Sequence, residues 1–207
     1  MKVLNLYAGI GGNRKLWPDT CEITAVEYND KIASIYTRQF PKDDIVIGDA
    51  HEYLEKNYKD FDLIWSSPPC QSHSKMIISG QNRTPQYPDM RLYEEILFLQ
   101  QHCKTKWVIE NVVPYYKPLI PGTVRGRHIF WSNFHIPHFE VQNEKDFINT
   151  TKKGGKKRLM DWLGIHFDEN VYYENSHCPA QILRNAVHPT IGLTIYEAAT
   201  NMPVSKP

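Results

Sequence analysis

No cysteine in this chain has a partner at close spacing. The four cysteines, Cys21, Cys70, Cys103 and Cys178, are scattered with no Cys-x-x-Cys pair, which argues against a disulfide framework and points to reduced thiols. His102-Cys103 and His177-Cys178 recur 75 positions apart, a spacing that fits no zinc-ligand set, so no metal is expected. An excess of charge is also missing. With 24 basic against 23 acidic residues and a net charge of +1, a globally basic nucleic-acid binder is excluded, and any such contact must come from a local patch. No apolar run approaches the roughly 18–20 residues that cross a bilayer, and long internal repeats are absent. The start, Met1-Lys2-Val3-Leu4-Asn5-Leu6, carries no signal-peptide pattern, so the expectation is a cytoplasmic protein without a membrane partner. At 207 residues the chain can bury one domain plus a small appendage.

What is present alternates between two periods. Short apolar runs at 2–6, 21–26, 44–47, 61–65 and 106–109 read as strands, and 31–40, 50–57 and 90–102 have helical spacing. A short helical stretch is expected at 13–17, a sixth strand at 127–131 and a last helix at 190–199, closed by Met202-Pro203. Strands alternating with helices imply right-handed βαβ units and a mostly parallel sheet covered on both faces. Between about 133 and 180 the pattern dissolves into polar, aromatic and basic sequence, which predicts a small insertion. Residues 1–132 and 181–207 then form the main domain. The run Lys152-Lys153-Gly154-Gly155-Lys156-Lys157-Arg158 is either a nucleic-acid patch or a solvated loop.

Chemistry collects where strands end. Ser66-Ser67-Pro68-Pro69-Cys70-Gln71 places a thiol on a stiff double-proline turn directly after a strand, at the sheet edge where ligands bind. The loop Tyr7-Ala8-Gly9-Ile10-Gly11-Gly12 ends the first strand, and Glu27 follows 18 positions after Gly9, near the roughly 20 expected for an acid on ribose hydroxyls. Position 14 holds Arg14 in place of a third glycine, so an adenosine cofactor without phosphates is expected rather than a dinucleotide. Asp49 ends the third strand at the same edge, and Glu110-Asn111 the fifth, across the crevice from Cys70. A thiolate beside a carboxylic acid suits attack on an electron-poor ring whose nitrogen takes a proton or hydrogen bond. Arg125 and Arg127, read as an alternating pair at the sixth strand, could hold a base carbonyl and phosphates, or simply guard a strand edge.

These residues resemble the DNA cytosine-5 methyltransferases, in particular the short members of phages and prophages. Leu6-Tyr7-Ala8-Gly9-Ile10-Gly11-Gly12 is similar to the family's S-adenosylmethionine loop, Pro69-Cys70-Gln71 to its nucleophile motif, Glu110-Asn111-Val112 to its acid motif and Arg125-Gly126-Arg127 to its arginine motif. Asn185-Ala186-Val187 resembles the last motif, which closes the cofactor site. Thr123 stands where the family usually has glutamine, and Arg184 where a glycine usually precedes the asparagine. The resemblance implies a Rossmann-like α/β fold and S-adenosylmethionine held by Tyr7, Ala8, Gly9, Gly11, Gly12, Glu27, Asp49, Pro69 and Asn185. It further implies catalysis by Cys70, Glu110, Arg125 and Arg127 on a cytosine flipped out of double-stranded DNA, by a monomer in a bacterial or phage-infected cytoplasm. Region 133–180 becomes a short target-recognition element, and 72–88, with Arg83, a loop over the flipped base.

Two alternatives stay open on the residues alone. Ser67-Pro68-Pro69 matches the start of an amino-directed methyltransferase motif, although Cys70 stands where that motif has an aromatic residue. A catalytically idle DNA-binding or cofactor-sensing protein could also keep this fold.

Overall fold

The computed structural model describes residues 1–79, 86–141, 155–173 and 178–201, so Arg83, Lys152, Lys153, His177 and the Met202-Pro203 stop lie outside the described residues. Strand β1 (Lys2–Leu6) points Leu4 and Leu6 to one face and Val3 to the other, as the two-residue period requires. Next come β2 (Glu22–Glu27), helix α1 (Asp30–Gln39), β3 (Asp44–Ile47), helix α2 (Ala50–Asn57) and β4 (Leu63–Ser66). Helix α3 (Arg91–His102) leads to β5 (Lys106–Val112), and a hairpin of β6 (Thr123–Arg125) and β7 (His128–Ser132) completes one seven-stranded sheet. Three further helices follow: α4 (Gly155–Leu163), α5 (Gln181–Asn185) and α6 (Pro189–Asn201).

The strand order is β3-β2-β1-β4-β5-β7-β6. The first five strands in this order run parallel, whereas β7 pairs antiparallel with both β5 and β6. Side chains alternate accordingly. Leu4, Leu6, Ile64, Trp107, Ile109, Ile129 and Trp131 pack with Leu54 of α2 and Leu92, Ile96 and Leu99 of α3. The opposite face, with Val3, Trp65, Val108 and Phe130, packs under Ile191, Ile195 and Tyr196 of α6. This is a Rossmann-like α/β fold with helices on both faces. The chain winds outward from β1 to β3 and returns to β4 on the other side of β1. The resulting switch point opens a crevice at the carboxyl ends of β1 and β4.

Helices α1 and α2 start promptly because Asn29 and Asp49, the residues after or near their strand ends, accept the first free N–H groups: Asn29 Oδ1 from Lys31 and Ile32, Asp49 Oδ1 from His51 and Glu52. The expected helix at 13–17 does not form. Turns run through that stretch, since Pro18 disfavours a helical residue before it and Arg14 is drawn sideways into an ion pair with Asp43. Strand β6 was not legible in sequence, and β5 extends to Val112, so Glu110 and Asn111 lie inside the strand rather than after it.

The expected insertion does not stand apart where it is described. Phe134 and Ile136 join the core under α6. Leu159, Leu163, Ile165, Phe167, Ile182 and Leu183 pack against Ile10 of the glycine loop and Ile32 and Ile35 of α1. Lys156 is a tether, its Nζ donating to the carbonyls of Asp168 and Glu169 and to Asn170 Oδ1 at 2.7–3.3 Å. Of the basic run, Lys157 is exposed.

Candidate active site

Cys70 begins a tight turn: its carbonyl accepts the N–H groups of His73 and Ser74 at 3.1 and 3.0 Å. The preceding prolines are pinned from the next strand, where buried Asn111 donates from Nδ2 to the Pro68 carbonyl at 2.9 Å. That bond explains why an asparagine follows the acid in β5. It fixes the thiol's turn to the strand carrying Glu110. Burial pushes the Cys70 thiol up to about 11, and the charge of Glu110 adds to this while Arg127 opposes it. Thiol, acid and Arg127 therefore share one electrostatic neighbourhood.

Arg127 and Arg125 separate. Gly126, at φ 58°, and Arg127 form a two-residue hairpin turn between β6 and β7, a geometry that favours glycine at its first position. The two arginines thus occupy a turn and a strand, not alternate positions of one strand. Arg127 sits by the crevice, its guanidinium lowered by burial against the pull of Glu110 and Cys70. The Arg125 guanidinium donates to the carbonyls of Val124, Ile136 and Pro137 at 2.9–3.0 Å, which braces the 136–137 backbone.

The three glycines of the first loop also divide. A side chain at Gly9 (φ +55°) would enter open space, whereas one at Gly11 would strike Phe40 at 2.2 Å and one at Gly12 the Val187 carbonyl at 2.3 Å. Of the three, only Gly9 has open space where a side chain would stand. Gly11 admits the end of α1, and Gly12 lets the segment after Asn185 close on the loop. Tyr7 itself adopts φ 54°, uncommon for a residue with a side chain. Its hydroxyl donates to Glu95 Oε1 at 2.5 Å. Ala8 continues the ladder, donating its N–H to the Val26 carbonyl.

Glu27 is buried, with Oε2 accepting from Gly9 N–H and Oε1 from Asn29 N–H, both at 2.9 Å. Burial raises its carboxyl, and these backbone donors pull the other way. Asp49 accepts Arg91 Nη1 at 3.0 Å. Burial would raise the Asp49 carboxyl, but the N–H groups of Glu52 and His51 and the Arg91 guanidinium hold it below the usual range. Asn185 accepts from Gln181 at 2.9 Å and bonds the hydroxyl of Tyr173.

Several site residues left no signal in the sequence. Tyr173 reaches the crevice from the insertion, its phenol raised by burial and by the nearby charges of Glu27 and Cys70. Glu95 of α3, 1% exposed, accepts from Tyr7, Ser66 Oγ (2.7 Å) and His51 Nδ1 (3.2 Å). It joins the ends of β1 and β4 to the start of α2. A glutamate on an amphipathic helix reads as solvent-facing until the sheet is packed against it.

A C-5 cytosine-specific DNA methylase domain model matches residues 1–117, more than half of the chain. The chain belongs to the C-5 cytosine-specific DNA methylase family. Among curated proteins none matches it. Among solved structures, this methylase-family chain is similar to a DNMT2 variant from Spodoptera frugiperda, with 28% identity over 54% of this chain and 35% of that one (TM-score 0.40). It is also similar to S. pombe Dnmt2, with 26% identity over 54% of this chain and 36% of that one (TM-score 0.39). A third likeness is the Entamoeba histolytica methyltransferase EhMeth, with 21% identity over 54% of this chain and 38% of that one (TM-score 0.36). The chain thus spans little more than a third of the length of these structures. The matched 1–117 region of this methylase-family member includes the glycine loop, Glu27, Asp49, Cys70 and Glu110. Arg127 and Asn185 lie beyond it.

Proposed function

We propose that this chain transfers a methyl group to C5 of a cytosine flipped out of duplex DNA, through a covalent bond between Cys70 and C6. The observation that carries this reading is that thiol and acid stand on neighbouring strands tied together beside them, where Asn111, next to the acid, donates to the carbonyl of Pro68, two residues before the thiol, at 2.9 Å. While Glu110 is a carboxylate it opposes a thiolate next to it. A proton on Glu110 lifts that opposition and at the same time equips the acid to donate to N3 of the ring. Cys70 gives up its proton to solvent, and the thiolate Sγ bonds to C6 as the C5–C6 π electrons move onto C5, which becomes the nucleophile. C5 takes the methyl group, its proton then leaves to water, and the C–H electron pair reforms the C5–C6 double bond as Sγ is expelled as a thiolate. Base flipping is required because C6 is unreachable within a stack, and Arg127 at the crevice rim is suited to the flipped base or its phosphate.

The crevice fits S-adenosylmethionine. Turns, not a helix, follow the glycine loop, so there is no helix N-terminus for a pyrophosphate. Instead the edge offers carboxylates, Glu27 and Asp49, which suit a ribose diol and a cationic ligand. Gly9, Tyr7, Ala8 and Pro69 would line it, with Asn185 closing it from the C-terminal side. When bound, S-adenosylmethionine supplies a methyl group activated by its sulfonium. Glu27→Ala is expected to weaken its binding by about 1–3 kcal/mol, the value of hydrogen bonds to a charged acceptor. Titration calorimetry measures this, and unchanged affinity would move the ribose contact elsewhere.

The test of the reaction is duplex DNA carrying 5-fluorocytosine, given with S-adenosylmethionine. Fluorine cannot leave C5 as a cation, so the enzyme should remain bonded to DNA through Cys70 and run as a shifted band in denaturing electrophoresis. An amino-directed methyltransferase would turn over normally on this DNA. Methylation of ordinary DNA without a Cys70-dependent shifted band overturns the covalent route.

A further inference from the structure

Glu110 has a partner that the cysteine and arginine motifs do not account for. In the antiparallel pair of β5 and β7, Glu110 lies opposite Phe130 and Val112 opposite His128. Residues two apart on a strand share a face, so Glu110 and His128 are diagonal neighbours within reach of long side chains. The contact is made: His128 Nδ1 lies 2.5 Å from Glu110 Oε1, with side chains only 6% and 9% exposed. On its other edge the ring is engaged by the residue before it, since Arg127 Nε–H donates to His128 Nε2 at 3.2 Å. A nitrogen that accepts carries no proton. The ring proton is therefore on Nδ1, and Nδ1–H donates to Glu110.

We propose that His128 is a positioning residue for the acid, fixing Glu110 Oε1 so that Oε2 alone presents the proton to the cytosine ring. Oε1 can accept from Nδ1–H whether Glu110 is a carboxylate or a carboxylic acid, so the bond survives the whole cycle. A buried carboxyl without such an anchor can rotate and offer either oxygen, or turn its proton away from the substrate. Arg127 contributes by holding the ring in the donor tautomer, so the arginine beside the crevice and the acid within it are linked through one imidazole. The proposal rests on Glu110 acting as the acid in the reaction proposed above.

Two measurements test it. The first is steady-state methylation of duplex DNA by His128→Phe and His128→Asn, whose amide nitrogen stands near the place of Nδ1 and can donate. His128→Phe should lower kcat about 10- to 100-fold, a share of what a positioned acid contributes, with little change in KM for DNA or S-adenosylmethionine. His128→Asn should recover most of that loss. A merely structural histidine would predict parallel losses of thermal stability with no selective rescue of kcat by asparagine. Wild-type kcat in His128→Phe, or equal damage in both variants, overturns the proposal. The second measurement needs no activity: nitrogen-15 NMR of histidine-labelled wild-type protein should show His128 protonated at Nδ1 and bare at Nε2, with its low-field Nδ1 proton lost in Glu110→Ala. The opposite tautomer overturns the proposal. If wild type transfers no methyl group to DNA, the reaction reading fails, and the NMR result still decides the pair.

Discussion

Cys70→Ala is expected to lower methyl transfer by at least about 10⁴-fold, as removal of a covalent nucleophile does elsewhere, while S-adenosylmethionine binding stays nearly unchanged. The two effects separate because the substitution removes one sulfur from the rim and nothing from the scaffold. The turn is made by the Cys70 carbonyl, which accepts from His73 and Ser74. The prolines are held by Asn111. Neither needs the thiol. Glu27 is held by the N–H groups of Gly9 and Asn29, and Tyr7 by Glu95, so these residues keep their places without the thiol. The check is transfer of a labelled methyl group to DNA beside calorimetry of cofactor binding. Methylation near the wild-type rate would remove Cys70 from the mechanism. Loss of both binding and transfer would mean that the thiol supports the crevice itself.

Arg14→Leu is expected to cost about 3–5 kcal/mol of stability, the usual result of removing one partner of a buried ion pair. Arg14 is 4% exposed. It donates from Nε and Nη2 to the two oxygens of Asp43 at 2.9 and 3.1 Å and from Nη1 to the Trp17 carbonyl at 3.0 Å. Burial works to lower the guanidinium, yet Asp43 outweighs it and the group is raised. The Asp43 side chain is only 2% exposed and also accepts from Tyr36 at 2.8 Å. Without Arg14 it would be a buried charge with one neutral donor. The double variant Arg14→Leu, Asp43→Leu should recover much of the loss, because it removes the uncompensated carboxylate along with its partner. Urea denaturation of the three proteins measures this. Equal stability of Arg14→Leu and wild type would show that solvent reaches Asp43.

This pair also explains the residue at position 14, where a dinucleotide fold would carry a glycine. The arginine ties the loop after β1 to the turn between α1 and β3. It also lies over the Phe40 ring at 5.1 Å, the same ring that leaves room only for a glycine at position 11. The glycine loop is thus shaped from behind by packing and in front by Glu27.

By itself the sequence determined the features that are local in origin. Apolar runs with periods of two and near four yielded the parallel strands and α1, α2, α3 and α6 to within a few residues, because periodicity is a property of neighbours along the chain. Proline stiffness placed the Cys70 turn for the same reason. What tertiary structure alone decided is where side chains go once strands are in register. Arg125 and Arg127 differ by two positions, but a hairpin turn between them sends one to a backbone brace and leaves the other at the crevice. That Gly11 and Gly12 leave room for Phe40 and Val187, which arrive from distant segments, is likewise set by packing. His128 meets Glu110 only because β7 runs antiparallel to β5 in one particular register. A shift by one residue would put the ring on the opposite face. Register and burial are set by the packed sheet as a whole, and no local pattern along the chain encodes them.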